Sequence, residues 1–288
     1  MTRMTKKYYN FAQHFSMRSL AYIFLLFSVL ALSCGEYEKL LKSSDYDLKK
    51  SKAKWYYENG QYVRATELLA QVLPRFRATE EAEDLNWMNA QSFYKMKDYF
   101  AAGSYFKSYL DQYAYGKYAE DAAFMAAMCD YNLSPRAELD QESTRAAIEG
   151  FNYFLNKYPY SARADECRNL IRELQERLVE KSYLSARLYY DMKAYKSAIV
   201  ALNNSLKEYA DTKYREEMMY LKLNSLFLYA EYSMPDKQKE RYQDTLDDYY
   251  SFMEEFPKSK YSRDVRRIFQ ATARFLKIDT TDLEANIQ

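Results

Sequence analysis

Residues 56–69 read YYENGQYVRATELL. The turn-forming pair Asn59-Gly60 separates two aromatics, Tyr56-Tyr57, from a run spaced Tyr62-x-x-Ala65-x-x-x-Leu69. That i, i+3, i+7 spacing places the three residues on one face of a helix. The small Ala65 lets a neighbouring helix come close, and Tyr62 and Leu69 fill the groove beside it. The stretch predicts a helix, a short turn and a second helix packed back on the first.

The pattern recurs as Tyr99-x-x-Ala102-x-x-x-Phe106, Thr144-x-x-Ala147-x-x-x-Phe151, Tyr195-x-x-Ala198-x-x-x-Leu202 and Tyr242-x-x-Thr245-x-x-x-Tyr249. The third copy lacks the leading aromatic and the fifth is degenerate. The small positions fall 37, 45, 51 and 47 residues apart. A tetratricopeptide repeat has this design with a period of about 34 residues, so the longer spacings demand insertions. One is the polar loop Asn132–Glu142, and another is helix-like, around Arg163–Gln175. Stops such as Tyr158-Pro159 and Phe256-Pro257 end the second helices, and Ser161, Thr212 and Ser259 are candidate N-caps for the next.

The expected fold is all-α: a tetratricopeptide-repeat solenoid of about five helix–turn–helix repeats with a C-terminal capping helix, Tyr261–Lys277. The expected organisation is a cleaved signal peptide over 1–33 and a lipidated tether over 34–44. Repeats 1–3 would occupy 45–160. Repeats 4–5 and the cap would occupy 161–277, ahead of a flexible tail, 278–288.

Composition agrees with long helices. Among 288 residues there are only 5 Gly and 5 Pro, against 32 Tyr, and few turn-formers argue against many short strands. The single histidine, His14, lies in the segment expected to be removed. Its loss excludes His-based acid–base catalysis and the commonest zinc ligand. Isolated glycines exclude the phosphate-binding loops. The expectation is a non-enzymatic protein with no cofactor and no metal.

The amino terminus carries Arg3, Lys6, Lys7 and Arg18 and no acid, followed by a short apolar run, Leu20–Leu32. The run is too short for a span of about 20 residues, and the whole reads as a secretory signal. Cys34 in Leu30-Ala31-Leu32-Ser33-Cys34-Gly35 resembles a bacterial lipoprotein signal. An ordinary signal peptide with Cys34 as bystander, or an uncleaved anchor, are the alternatives, and Met17 is an alternative start. Cleavage before Cys34 removes four basic residues and takes the formal charge from +1 to −3, which argues against nucleic acid as a partner. Cys129 and Cys167 read as buried small hydrophobes, or as a disulfide in an exported protein.

Tetratricopeptide arrays bind peptides on the face formed by the first helix of each repeat. Stepping through the motif places Lys54 and Tyr57 on that face in the first repeat, Trp87, Gln91 and Tyr94 in the second, and Phe124, Met128 and Tyr131 in the third. Tyr183, Arg187 and Tyr190 follow in the fourth. Ordinary packing between helices is the competing reading for each ring. Tyr56, Phe93 and Tyr189 are expected to fill the packing positions instead. The terminal helix collects Arg263, Arg266 and Arg267 against Asp264. That is either a solvated outer face or a dock for an acidic partner. Glu80, Glu81, Glu83 and Asp84 complement a helix start.

Glu38-Lys39-Leu40-Leu41, Tyr56-Tyr57-x-x-Gly60-x-Tyr62-x-x-Ala65, Phe154-Leu155-x-x-Tyr158-Pro159-x-Ser161 and Ala186-x-x-Tyr189-Tyr190 occur in that order behind Cys34. Together they resemble the BamD family, tetratricopeptide lipoproteins of the outer-membrane β-barrel assembly machinery. The resemblance implies a lipid-anchored, periplasm-facing outer-membrane protein. Its implied partners are the periplasmic domains of the barrel-shaped insertase and unfolded outer-membrane proteins. It assigns substrate capture to the first repeats, Tyr57, Trp87 and Tyr94 foremost, and insertase docking to the fourth and fifth. Rival readings are a repeat lipoprotein organising cell-wall synthesis or another envelope complex, and a glycan-binding lipoprotein, for which the insert at Asn132–Glu142 is too small.

Overall fold

The structure is a computed structural model and describes residues 35–278. The signal segment, Cys34 and residues 279–288 of the expected tail lie outside the described residues. Twelve helices and no strand occur among the described residues. Residues 35–42 form α1. Helical hairpins follow: α2 (Tyr46–Glu58) with α3 (Tyr62–Phe76), then α4 (Ala82–Lys95) with α5 (Tyr99–Gln112). Next in the chain are α6 (Ala119–Leu133), α7 (Glu142–Lys157), α8 (Ala164–Asp191), α9 (Tyr195–Glu208), α10 (Arg215–Glu231) and α11 (Pro235–Glu255), and α12 (Ser262–Leu276) caps the series. Each repeat motif falls on a second helix. Its small residue is fully buried in all five: Ala65, Ala102, Ala147, Ala198 and Thr245 are each 0% exposed.

The turns explain why the hairpins close. Gly60, Lys97 and Lys193 adopt left-handed backbones, with φ of 72°, 60–62° at the two lysines. Each ends its helix with the same pair of hydrogen bonds. Gln61 N–H donates to Tyr56 O at 2.8 Å and Gly60 N–H to Tyr57 O at 3.1 Å. The bonds Asp98 to Phe93 and Ala194 to Tyr189 repeat the first of these, at 3.0 and 2.9 Å. The second helix then starts at once, and Asp98 caps α5 by accepting from Ala101 N–H at 3.1 Å.

Ser161, Thr212 and Ser259 act two residues earlier than N-caps do. Their hydroxyls accept from Arg163, Tyr214 and Tyr261 N–H at 3.1, 3.2 and 3.0 Å. The N-cap positions themselves are Arg163, Tyr214 and Tyr261, with no side-chain cap. A Ser or Thr hydroxyl can close this local turn, which competes with capping.

The chain packs as two compact units that divide between Cys129 and Asp130, earlier than the boundary expected after residue 160. The insert, residues 134–141, adjoins that division. The helix-like insertion expected around Arg163–Gln175 is helical and forms the first half of the 28-residue α8, about twice as long as α2 or α4. In unit 1 the core joins α2, α3 and Leu85 of α4, and a second cluster joins α4, α5 and α6 up to Cys129. In unit 2, Tyr183, Ala198 and Met218 join α8, α9 and α10, and Leu223, Tyr249 and Phe269 join α10, α11 and α12. Every cluster therefore needs the next helix along, as stacked repeats do. Cys129 and Cys167 are both buried, and burial pushes the Cys167 thiol up to about 11.

The stretch expected as a tether is structured from Gly35 onward. Tyr37 of α1 is buried, sits edge-on to Tyr56 at 5.5 Å, and donates its hydroxyl to Glu67 Oε2 at 2.5 Å. Lys49, 2% exposed, donates to Leu41 O at 3.0 Å and Gln71 Oε1 at 2.6 Å. It thereby ties the end of α1 to α3. The reason is exposure: without α1, the outer side of the first hairpin would leave Tyr56 in water.

Candidate functional site

The first helices share one register: Ala53-Lys54-x-Tyr56-Tyr57, Ala90-Gln91-x-Phe93-Tyr94 and Ala186-Arg187-x-Tyr189-Tyr190. The alanines are buried against the following helix, at 0, 0 and 1% exposure. One position on, Lys54 and Gln91 are part-exposed and Arg187 is exposed. Lys54 Nζ pairs with Glu81 at 3.0 Å. Arg187 Nη1 donates to Tyr183 OH at 2.8 Å and lies 3.3 Å from Glu217. Gln91 makes no side-chain hydrogen bond among the described residues. These positions present polar, adaptable groups on the repeat face.

The aromatic assignments come out differently. Tyr57, Tyr94 and Tyr190 are half-buried, each against the first tyrosine of its own second helix. Tyr57–Tyr62, Tyr94–Tyr99 and Tyr190–Tyr195 lie 5.8, 5.4 and 6.4 Å apart. Their first duty is to lock the hairpin, and all three stay part-exposed. Tyr190 OH also accepts from Asn224 at 2.7 Å. Tyr189, expected inside, is 43% exposed.

Phe124 and Tyr183 are buried, at 7 and 5% exposure, and do not line a binding face. Trp87 is half-buried among Phe106, Tyr109 and Tyr118, stacked on the last at 4.7 Å and 9°. Met128 is part-exposed on α6. Tyr131, part-exposed, donates to Glu173 at 3.0 Å and packs on Phe151.

Sequence reasoning missed what these larger residues do. Trp87 stacks on Tyr118, Tyr183 on Tyr214 at 4.3 Å, and Tyr220 on Tyr261 at 4.1 Å. Tyr118, Tyr214 and Tyr261 each immediately precede the first turn of the following helix. At the matching place in the first hairpin, Lys50 pairs with Glu81 at 2.5 Å instead. The signal was present as a spacing of 31 residues from Lys50 to Glu81, repeated from Trp87 to Tyr118 and from Tyr183 to Tyr214. Burial, then the bond to Glu217, push the Tyr183 hydroxyl up to about 12.

Three of the four acids at the start of α4 are engaged, and Glu80 is exposed. Glu81 holds Lys50 and Lys54, and both bonds pull its carboxyl below the usual range. Glu83 accepts from Tyr109 OH at 2.5 Å, and Asp84 pairs with Lys117 at 2.5 Å. On α12, Arg263 and Arg266 are exposed and make no ion pair among the described residues. Arg267 lies 3.4 Å from Asp264. The inner face of the same helix is buried through Val265, Ile268, Phe269 and Ala273.

A repeat of helical hairpins with buried small residues and in-register polar positions defines a tetratricopeptide-repeat protein. The chain belongs to the outer membrane lipoprotein family YfiO, whose model matches residues 49–227, more than half of its length. Comparison with curated proteins returns no match. Among solved structures, the chain is similar to the TPR2AB-domain:pHSP90-complex of yeast Sti1, with 13% identity, covering 80% of this chain and 99% of that one at a TM-score of 0.36. It is also similar to the P58(IPK) TPR domain, with 14% identity, 83% and 68% coverage and a TM-score of 0.39. Among the described residues no helix is long and apolar enough to cross a membrane.

Proposed function

We propose that this chain is a non-enzymatic scaffold of the outer-membrane β-barrel assembly machinery, anchored by lipid on Cys34 and facing the periplasm. The observation that carries the reading is membership of the outer membrane lipoprotein family over residues 49–227. The repeat face supports it physically. Lys54, Gln91 and Arg187 recur at one register with the part-exposed Tyr57, Tyr94 and Tyr190, a mixture of adaptable polar groups and rigid rings suited to extended peptide. In this reading Lys54, Tyr57, Gln91, Tyr94 and Met128 receive unfolded outer-membrane proteins. Arg187, Tyr190 and the arginines of α12 dock the periplasmic domains of the insertase. Trp87, Phe124 and Tyr183 hold the helices that present those groups.

A photo-crosslinking amino acid at Gln91 or at Arg263, in the full chain in living cells, tests the two assignments without disturbing the core. Adducts with newly exported barrel proteins at 91, and with the insertase at 263, are expected. Adducts with cell-wall enzymes, or with neither class, would overturn the proposal.

A further inference from the structure

At the amino-terminal end of unit 1, a cavity of about 560 Å³ opens between α1 and α2. Leu40 of α1 and Leu48 and Trp55 of α2 form its apolar walls. Tyr37 and Tyr56, set edge to face at 89°, back it. Leu48 is 44% and Trp55 47% exposed. A ring with an apolar body and a polar N–H suits a boundary between water and an apolar phase.

Three cations converge on this apolar cup. Lys52 Nζ lies 5.7 Å from the Trp55 ring. The Arg64 guanidinium lies 5.0 Å over Tyr37 and 5.6 Å over Tyr56, and donates to Gln61 Oε1 at 3.0 Å. Lys39 joins them, and Glu36 is the one acid on the lining. None of the three cations makes an ion pair among the described residues. The chemistry calls for an anion with an apolar portion attached.

Position in the chain selects the source of that anion. Glu36 stands two residues after Cys34, a link of at most about 7 Å when fully extended. Acyl chains on Cys34 would therefore hold the cavity within the headgroup layer. We propose that the cavity seats the phosphate of an anionic phospholipid from the leaflet that holds Cys34, with Trp55 and Leu48 entering the interface beside it. The acyl chains retain the protein at the membrane, and the seat adds a second point that fixes how unit 1 meets the surface. The inference rests on the lipid-anchored reading above.

The test uses the full-length protein extracted from membranes and reconstituted into vesicles whose acyl chains are brominated near the headgroup. One set is phosphatidylcholine alone, and the other contains phosphatidylglycerol. Palmitate labelling and flotation of the vesicles report the anchor independently. Quenching of tryptophan fluorescence reports the seat, with Trp55→Phe isolating the contribution of Trp87. The expected result is Trp55 quenching at least twofold stronger with phosphatidylglycerol, lost in Lys39→Glu/Lys52→Glu while flotation is unchanged. Equal quenching in the two lipids, or quenching indifferent to the charge reversal, would show anchoring alone and overturn the seat. So would an unquenched Trp55 on a labelled, floating protein. Absence of both label and flotation would bring down the anchor reading, and the seat with it.

Discussion

Lys97 and Lys193 hold a left-handed backbone that costs an L side chain about 1–2 kcal/mol, in a turn where the equivalent residue of the first hairpin is glycine. Glycine adopts that conformation freely but loses more entropy on folding. Lys97→Gly and Lys193→Gly should each still raise stability by about 0.5–1 kcal/mol, read as a higher urea midpoint at unchanged slope, and Gly60→Ala should lower it. Gly116 is needed for another reason. A Cβ there would collide with Glu83 Oε1 and lie 2.8 Å from Tyr109 OH. Gly116→Ala should push the Glu83 carboxylate away and leave the Tyr109 O–H without its acceptor, at a cost of about 1–3 kcal/mol, while Tyr109 still accepts from Tyr118 N–H at 3.2 Å. Denaturant melts of Gly116→Ala and Glu83→Leu, which removes the acceptor, that match the wild type would refute this.

Glu81 supplies a pH test. Its folded carboxyl lies below its ordinary range because Lys50 and Lys54 bind the charged form. A depressed acid contributes stability above the unfolded value of about 4.3, and that contribution is lost as pH falls through the folded value. Glu81→Gln should therefore be less stable than wild type at neutral pH, with the gap closing below about pH 4. The gap should be small and weakened by salt, because the Glu81 side chain is 42% exposed and screened by water.

At the scale of elements, the repeat was legible because its physics is local. A small residue at i+3 and large ones at i and i+7 mark a buried face whatever lies beyond, and all five small positions are buried. The turns were legible for the same reason. The stacked pairs between successive helices were not, because Trp87 and Tyr118 meet only after two helices and two turns have formed. Phe124 and Tyr183 were misplaced because one helix face carries both packing and exposed positions, and identity alone does not separate them. Tyr37 went unread because a short run next to a signal gives no helical period. Tyr183→Ala should cost about 3–5 kcal/mol as a core truncation and the half-buried Trp87→Ala somewhat less, about 2–3 kcal/mol, whereas Gln91→Ala should cost under about 0.5 kcal/mol. The α10–α11 contact holds a buried ion pair, Lys222 with Asp248, 17 and 10% exposed. Burial pushes the Asp248 carboxyl up, and Lys222 pulls it part of the way back. Lys222→Met should lose about 3–5 kcal/mol by stranding the acid, and Lys222→Met/Asp248→Leu should recover most of it. Equal stabilities for the single and double variants would contradict that account.

At the scale of the molecule, each core cluster is completed by the next helix in its unit, so residues that serve packing and residues free for a partner alternate along the first helices. The terminal helix shows the division most plainly. Phe269 and Ile268 close the last core, while Arg263 and Arg266 face outward without a carboxylate. The chain's family is that of an outer membrane lipoprotein, and the proposal that it scaffolds barrel assembly concerns what those outward residues hold. The measurement that bears on it most directly is purification of the tagged full-length protein from membranes in mild detergent, with identification of what comes with it. The account predicts an outer-membrane barrel with periplasmic domains, in near-equal amount, lost in Arg263→Glu/Arg266→Glu. Recovery with cell-wall enzymes and no such barrel would contradict it.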